Sequence, residues 1–245
     1  MGRVPLNRAL SKLRILSRAQ AAAAIRAGRV RIDGRVVRDP AMLVDVDRID
    51  RAGRVGITVD DEPRERAAWR TIVFHKPRGV VTTRSDPDGR RTIYDVLGDD
   101  GRGLIAVGRL DLATSGLLLL TTDTGLAEWI TDPAHAVPRI YVVTVRGRVS
   151  DADVARLTAG VGVGRDRLRA HAVLLRKASS RESHLTVELR EGKNREVRRL
   201  FDAIGNEVTR LKRVRLGTIE LGDLEAGAWR ALTREDVRAA FPGAL

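Results

Sequence analysis

Apolar positions in the segment AAAAIRA (residues 21–27) recur at helical spacing, so that Ala21, Ala24 and Ile25 share one buried face. Ser17-Arg18-Ala19-Gln20 just upstream has capping-box spacing, in which serine and glutamine satisfy each other's orphan amides, and Gly28 is a suitable stop. The period then changes from 3.6 to 2 in RVRIDGRVV, two short alternating runs around Asp33-Gly34, which predicts a tight hairpin. Residues 60–68, DDEPRERAA, are charged and lack periodicity, and read as a linker.

Beyond the linker, WRTIVFHKP, LIAVGRL, GLLLLTT, RIYVVTVRG and HLTVELREG read as strands, and LAEWI, DADVARLTAG and NREVRRLFDAIG as helices. They mix without regular alternation, which predicts an α+β chain: a small helix-plus-hairpin domain over residues 1–60, a linker over 61–68, and a mostly antiparallel mixed-sheet domain over 69–245. SDPDGRRT (85–92) reads as an exposed loop, and the three tryptophans, Trp69, Trp129 and Trp229, as packing residues.

Charge changes the picture from fold to partner. The chain carries 45 basic against 32 acidic residues, a formal net charge of +13, and only five of the basic residues are lysine. Arginine's planar fork suits phosphates and stacked bases. Base composition of the genome accounts for the arginine usage as well as phosphate binding does, but it does not explain the net charge, so a polyanion, most simply nucleic acid, is the implied partner. Arg14, Arg18, Arg26, Arg29, Arg31, Arg35 and Arg38 crowd the predicted helix and hairpin and form a candidate phosphate-contacting face. Each of them alone reads equally as a solvated surface charge.

Other chemistry is excluded by what the sequence lacks. It has no cysteine, hence no disulfide or thiolate chemistry, and its four histidines have no metal-ligand spacing. GVGVGR (160–165) has the glycines of a nucleotide loop without the strand-turn-helix context, and no GxxxxGK[ST] sequence is present. No metal or cofactor is expected. No signal-peptide or membrane-spanning run is evident, so a cytoplasmic protein is expected.

The densest chemical signal is AVGRLDLATSGLLLLTTD. An apolar strand meets Gly108, Arg109 and Asp111; Thr114, Ser115 and Gly116 then turn the chain into the all-apolar Leu117–Leu120 run. Asp111 therefore sits in a tight connection between core strands, poorly solvated, where a carboxylate needs hydrogen bonds or a cation. By spacing alone a turn-capping aspartate fits as well. In NREVRRLFDAIG, Asn194 can cap a helix ending at Gly205 with a stripe of Val197, Leu200, Phe201 and Ile204. At 100° per residue, Arg195 and Arg199 face away from that stripe, toward solvent or an RNA backbone, while Arg198 lies at its edge within reach of a carboxylate. Tyr141, in phase with Val143 and Val145, fits a core aromatic.

Two resemblances sharpen these readings. LNRALSKL followed by SRAQAAAAIRAGRVRIDGRVV resembles the RNA-binding domain named after the fourth protein of the small ribosomal subunit, which implies structured-RNA binding and no chemistry. GRLDLATSGLLLLTTD resembles the signature of the pseudouridine synthases, in the branch that modifies ribosomal uridines. FHKPRGVVTT, RIYVVTVRG and EGKNREVRRLFDAIGNEVTRLKRVRLGTIELGDLEAGAWRALT match further motifs of that family in order, over roughly residues 3–238. The resemblance implies an isomerase that needs no cofactor, with Asp111 as catalytic carboxylate, Arg198 as its basic partner and Tyr141 against the target base. Lys76, Arg109, Arg195 and Arg199 are the motif positions expected to contact RNA. The NREVRRL form points to ribosomal RNA of the large subunit (23S). A monomer is expected, because a single-site RNA enzyme does not need two-fold symmetry. The same chemistry on 16S RNA, or a ribosome assembly factor without activity, are the alternatives. Methyltransferases and synthetases that carry the same N-terminal module need glycine-rich or nucleotide signatures that are missing here.

Overall fold

The computed structural model describes residues 3–13, 15–46, 56–63 and 68–245. The chain divides into two compact units, one of residues 1–70 with 122–125 and one of residues 71–121 with 126–245.

In the first unit, helix α1 (Leu6–Lys12) packs on α2 (Arg18–Arg26). The Ser17 hydroxyl accepts from the Gln20 amide while the Gln20 side chain accepts from the Ser17 amide, the expected capping box. Such a cap contributes about 0.5–2 kcal/mol. Strands β2 (Val30–Ile32) and β3 (Arg35–Val37) form the predicted hairpin, with positive φ at Asp33 and Gly34 as a tight primed turn requires. Two further strands extend this sheet, β5 (Ile57–Val59) beside β2 and β6 (Glu62–Pro63) beside β5. The ladder therefore runs into residues read as linker from their charge. Leu6, Leu10, Ala21, Ala24, Ile25, Val30 and Ile57 make the core of this unit.

The second unit is built on a nine-stranded mixed sheet. Its main path runs through β13 (Ala172–Ala178), β14 (Glu182–Leu189), β10 (Arg139–Arg146), β15 (Val208–Leu216), β9 (Ser115–Thr121), β7 (Thr71–Lys76) and β17 (Trp229–Leu232). Neighbours are antiparallel except β15 and β9, which are parallel. The apolar run Leu117–Leu120 is fully buried in β9, as its composition requires. The predicted strand 104–110 shrinks to β8 (Ile105–Ala106), because the chain leaves the ladder at Val107 to form the loop carrying Asp111.

The glycine-rich stretch at 160–165, read as a loop, is instead a hairpin of β11 (Val161–Val163) and β12 (Asp166–Leu168), turning at Gly164 with φ +62°. Helix α6 (Glu196–Asp202) is shorter than the 194–205 pattern implied, and Arg195 rather than Asn194 stands at its N-cap. Val197, Leu200 and Phe201 are buried as expected, and Ile204 packs partly buried against the same core. Trp129 stacks on His135 and the Trp229 indole donates to Asp100, so both serve local packing. Among the described residues no helix is long and apolar enough to cross a membrane.

The parallel pairing of β9 with β15 is close at one point. Gly116 has φ +111°, and a Cβ there would sit 2.6 Å from the Arg213 amide nitrogen and nearer still to its carbonyl carbon's oxygen. Gly116→Ala is therefore expected to destabilise the second unit by at least about 2 kcal/mol through backbone strain and overlap. That corresponds to a Tm drop of roughly 4–8 °C; thermal unfolding of the purified variant checks it, and an unchanged Tm would mean that the two strands can part cheaply.

Candidate active site

The connection from β8 to β9 is held through its backbone carbonyls. The Thr82 hydroxyl donates to Leu110 O at 2.8 Å, and the Gly79 amide to Leu112 O at 2.8 Å. The buried Lys76 ammonium donates to Pro77 O, to Asp111 O at 3.1 Å and to Thr114 O at 2.8 Å. Arg198 donates from Nη2 to Ala113 O at 3.3 Å and from Nη1 to Val208 O at 2.8 Å. Every carbonyl from Leu110 to Thr114 thus has a donor, and two of the donors are cations. Charge-assisted bonds of this kind are about twice as strong as neutral ones.

The Asp111 carboxylate, by contrast, makes no hydrogen bond to any described residue. Its side chain is 36% exposed, and the nearest cation is Arg195, with Nη1 4.0 Å from Oδ2. The expectation of a poorly solvated carboxylate is corrected here: the loop backbone is buried and clamped, while the side chain faces an open cavity.

That cavity is about 260 Å³, just under the ~300–1,000 Å³ of ordinary small-molecule clefts. Asp111, Arg109, Tyr141, Arg195 and Arg198 all line it. Tyr141 lies on β10 and is 8% exposed, so it serves at once as a core residue and as cavity wall.

Three sequence assignments change. Arg195 was placed on the face turned away from the helix stripe, but its φ of +48° is left-handed, so it is not part of the helix and the 100° rule does not apply to it. Its side chain swings to Asp111 instead. Arg198 touches the loop backbone rather than the carboxylate. Burial, then the Arg195 charge, push its guanidinium below the usual arginine range, and Asp111 opposes them. Lys76 is fully buried, so it cannot meet a phosphate; it is a clamp on the loop.

Arg199 is not among the cavity-lining residues; it pairs with Asp166 at 2.6 Å. Arg109 is exposed at the cavity. In the first unit, Arg18, Arg26 and Arg35 are exposed. Arg29 and Arg31 pair with Asp60 and Asp61 at 3.3 and 2.6 Å, which neutralises part of the basic face. Arg14 lies outside the described residues.

Sequence reasoning missed Arg139, Arg213 and Glu196, which are buried in the same lining. Arg139 donates to the carbonyls of Val137, Arg190, Glu191 and Ile130, which ties β10 to the loop before α6. Burial pushes its guanidinium down and the Glu196 carboxyl up. The signal was available: Arg139 and Arg213 fall on the inward phase of their strands, with Tyr141 and Leu211, where a charge is out of place.

Compared with known proteins, residues 70–203 match the family model described as RNA pseudouridylate synthase, and residues 4–49 match the S4 domain. The chain is 39% identical over 234 residues to the ribosomal large subunit pseudouridine synthase B of Vibrio cholerae, covering 95% of this chain and 72% of that protein. It is 38% identical to the protein of the same name from Escherichia coli K12, covering 93% and 78%. It is 32% identical to an uncharacterized RNA pseudouridine synthase of Aquifex aeolicus, covering 98% and 95%. A crystal structure of a pseudouridylate synthase superimposes with a TM-score of 0.66 at 27% identity, covering 96% of this chain and 98% of that one.

Burial lowers the Lys76 pKa to about 8, against a smaller raising effect from Asp111. As pH rises through 8 the native amine loses its proton and keeps two donors for three carbonyls. The unfolded chain holds that proton to about pH 10.5, so between 8 and 10.5 this group's contribution to global stability rises with pH while its grip on the loop weakens. Hydrogen exchange of a peptide spanning residues 108–116, corrected for intrinsic rates, is expected to accelerate from pH 7 to 9 in the wild type. In Lys76→Met it is expected to be fast at both. Exchange in the wild type that is flat across pH 8 would show that the ammonium charge does not hold the loop.

Proposed function

The chain belongs to the RNA pseudouridylate synthase family, and from that premise we propose that it converts a uridine of large-subunit ribosomal RNA to pseudouridine with Asp111 as the reacting carboxylate. The observation that carries this reading is the contrast at residue 111: a backbone clamped on every side, and a carboxylate with no hydrogen bond to any described residue, facing a cavity of about 260 Å³. A structural turn-capping aspartate would spend its oxygens on nearby amides.

The reaction breaks the bond from ribose C1′ to uracil N1 and forms one from C1′ to C5; the hydrogen on C5 leaves as a proton and N1 takes one up. Substrate and product contain the same atoms, so the balance calls for no oxidant, nucleotide or metal. Asp111 serves as nucleophile at C1′ or as counter-ion to a cation-like sugar; both routes need a carboxylate on the sugar side of the base. Arg195 flanks that carboxylate, Arg198 holds its loop through Ala113, and Tyr141 walls the base while it turns. The target nucleotide has to be flipped out of its stack, which costs a few kcal/mol.

The large-subunit assignment rests on the names borne by the Vibrio cholerae and Escherichia coli relatives. We assign residues up to about 60 to holding the RNA backbone, with Arg18, Arg26 and Arg35 as phosphate contacts and Arg109 and Arg195 at the cavity. The enzyme acts as a cytoplasmic monomer on this reading, since one uridine at one cavity requires no second copy.

A pseudouridine map of total ribosomal RNA, by carbodiimide labelling and primer extension with and without the gene, is expected to lose one large-subunit position in the deletion. The wild-type gene should restore it and Asp111→Asn should not; identical maps would remove ribosomal RNA as substrate. Arg26→Ala with Arg35→Ala is expected to reduce the slope of log affinity against log salt by about 1.4–1.8, at roughly 0.7–0.9 per phosphate. An unchanged slope would mean that this face is not the anchor.

A further inference from the structure

Resting on the reading of the cavity as a uracil pocket, we infer that Arg213 recognises the base by donating a hydrogen bond to whichever ring carbonyl lies opposite the glycosidic bond. Arg213 is 4% exposed and lines the cavity. Its Nε donates to the Leu117 carbonyl at 2.7 Å, which fixes the plane of the guanidinium, but its Nη2 is buried with no hydrogen-bond partner among the described residues. The other buried guanidinium of the lining, Arg139, spends both terminal nitrogens on four carbonyls. An orphaned charged donor in a buried position is costly and calls for an explanation, and an absent acceptor supplies one. Two more buried polar atoms of the same lining, Thr114 Oγ1 and Arg198 Nε, also lack partners among the described residues, as do Thr58 Oγ1 and Arg215 Nε outside it; Arg213 Nη2 is the one carried by a guanidinium that is nearly sealed in the lining.

Placement says which acceptor. Arg213 stands directly across from Tyr141 on β10 and from Gly116 on β9, and the bare Gly116 lets the two strands approach at that point. Asp111 is 36% exposed, whereas Arg213 is nearly sealed. A nucleotide entering with its ribose at Asp111 therefore presents the far end of its base to Arg213. In uridine the ring atom opposite N1 is C4, a carbonyl. In pseudouridine the atom opposite C5 is C2, also a carbonyl. Turning the ring half a revolution about its N3–C6 axis exchanges N1 with C5 and C4 with C2. One fixed donor thus meets an equivalent oxygen before and after the turn. Cytosine places an amino group at the same point, donor against donor, so the arrangement also rejects cytidine.

The test uses a synthetic RNA hairpin carrying the uridine identified by the map, made with uridine or 4-thiouridine at that one position. Single-turnover rates are read for the wild type, Arg213→Met and Arg213→Lys, with Asp111→Asn as control. Sulfur accepts hydrogen bonds poorly, so 4-thiouridine should slow the wild type about 5- to 10-fold. Arg213→Met should slow conversion of the uridine hairpin by about 10- to 100-fold, and the thio substitution should then add less than 2-fold. A thio effect as large in Arg213→Met as in the wild type would make Arg213 a structural residue and overturn the inference. Should Arg213→Met fold poorly, Arg213→Lys and the wild-type thio effect carry the same comparison: a wild type indifferent to sulfur overturns the inference. Conversion by the wild type that Asp111→Asn abolishes keeps the functional reading intact in either case. No conversion of the uridine hairpin by the wild type overturns that reading, and this one with it.

Discussion

Five consecutive backbone carbonyls, from Leu110 to Thr114, each have a donor, and the rest of the site depends on that arrangement. A loop between two core strands has to satisfy its polar groups without water. Here the donors come from β7, from the turn after it and from α6, elements far apart in sequence. Lys76 and Arg198 spend their charges on carbonyls of the loop rather than on the carboxylate beside them. The backbone at Asp111 is fixed, and its side chain is left for chemistry. Preorganisation of this kind removes the need to move the reacting group as the reaction proceeds.

The sheet supplies the second constraint. A single parallel pair, β9 with β15, interrupts an otherwise antiparallel ladder and brings Gly116 against the Arg213 backbone. Because β9 begins just after the Asp111 loop, the same close approach sets the buried guanidinium of Arg213 and the wall of Tyr141 beneath the carboxylate's cavity. The buried cations in this region are costly to desolvate. Backbone carbonyls compensate Lys76, Arg139 and Arg198, and the target base would supply the acceptor that Arg213 Nη2 lacks among the described residues.

Much of the fold was legible because its cues are local. Ser17 and Gln20 announce a helix start, Asp33-Gly34 a hairpin, and Leu117–Leu120 a strand buried on both faces. Asp111 was legible as a residue in a tight inter-strand turn, and only resemblance distinguished it from a turn cap. The errors have a common origin in contacts that periodicity does not encode. Lys76 looks like a surface base until the strand places it opposite Gly116 with three carbonyls in reach. Arg195 looks helical until a left-handed backbone takes it out of the helix. Arg213 and Arg139 were overlooked because charge was read as exposure, although both fall on the inward phase of apolar strands.

Whether a clamped loop presents Asp111 to a uridine is decided by tritium release from large-subunit ribosomal RNA labelled with [5-³H]uridine and incubated with the purified chain alone. Forming the C1′–C5 bond expels the C5 hydrogen, so tritium should be released until it saturates at about one equivalent per RNA, and none should be released with Asp111→Asn. Release by the Asp111→Asn protein at a comparable rate, or no release by the wild type from RNA lacking the modification, would contradict that role for Asp111.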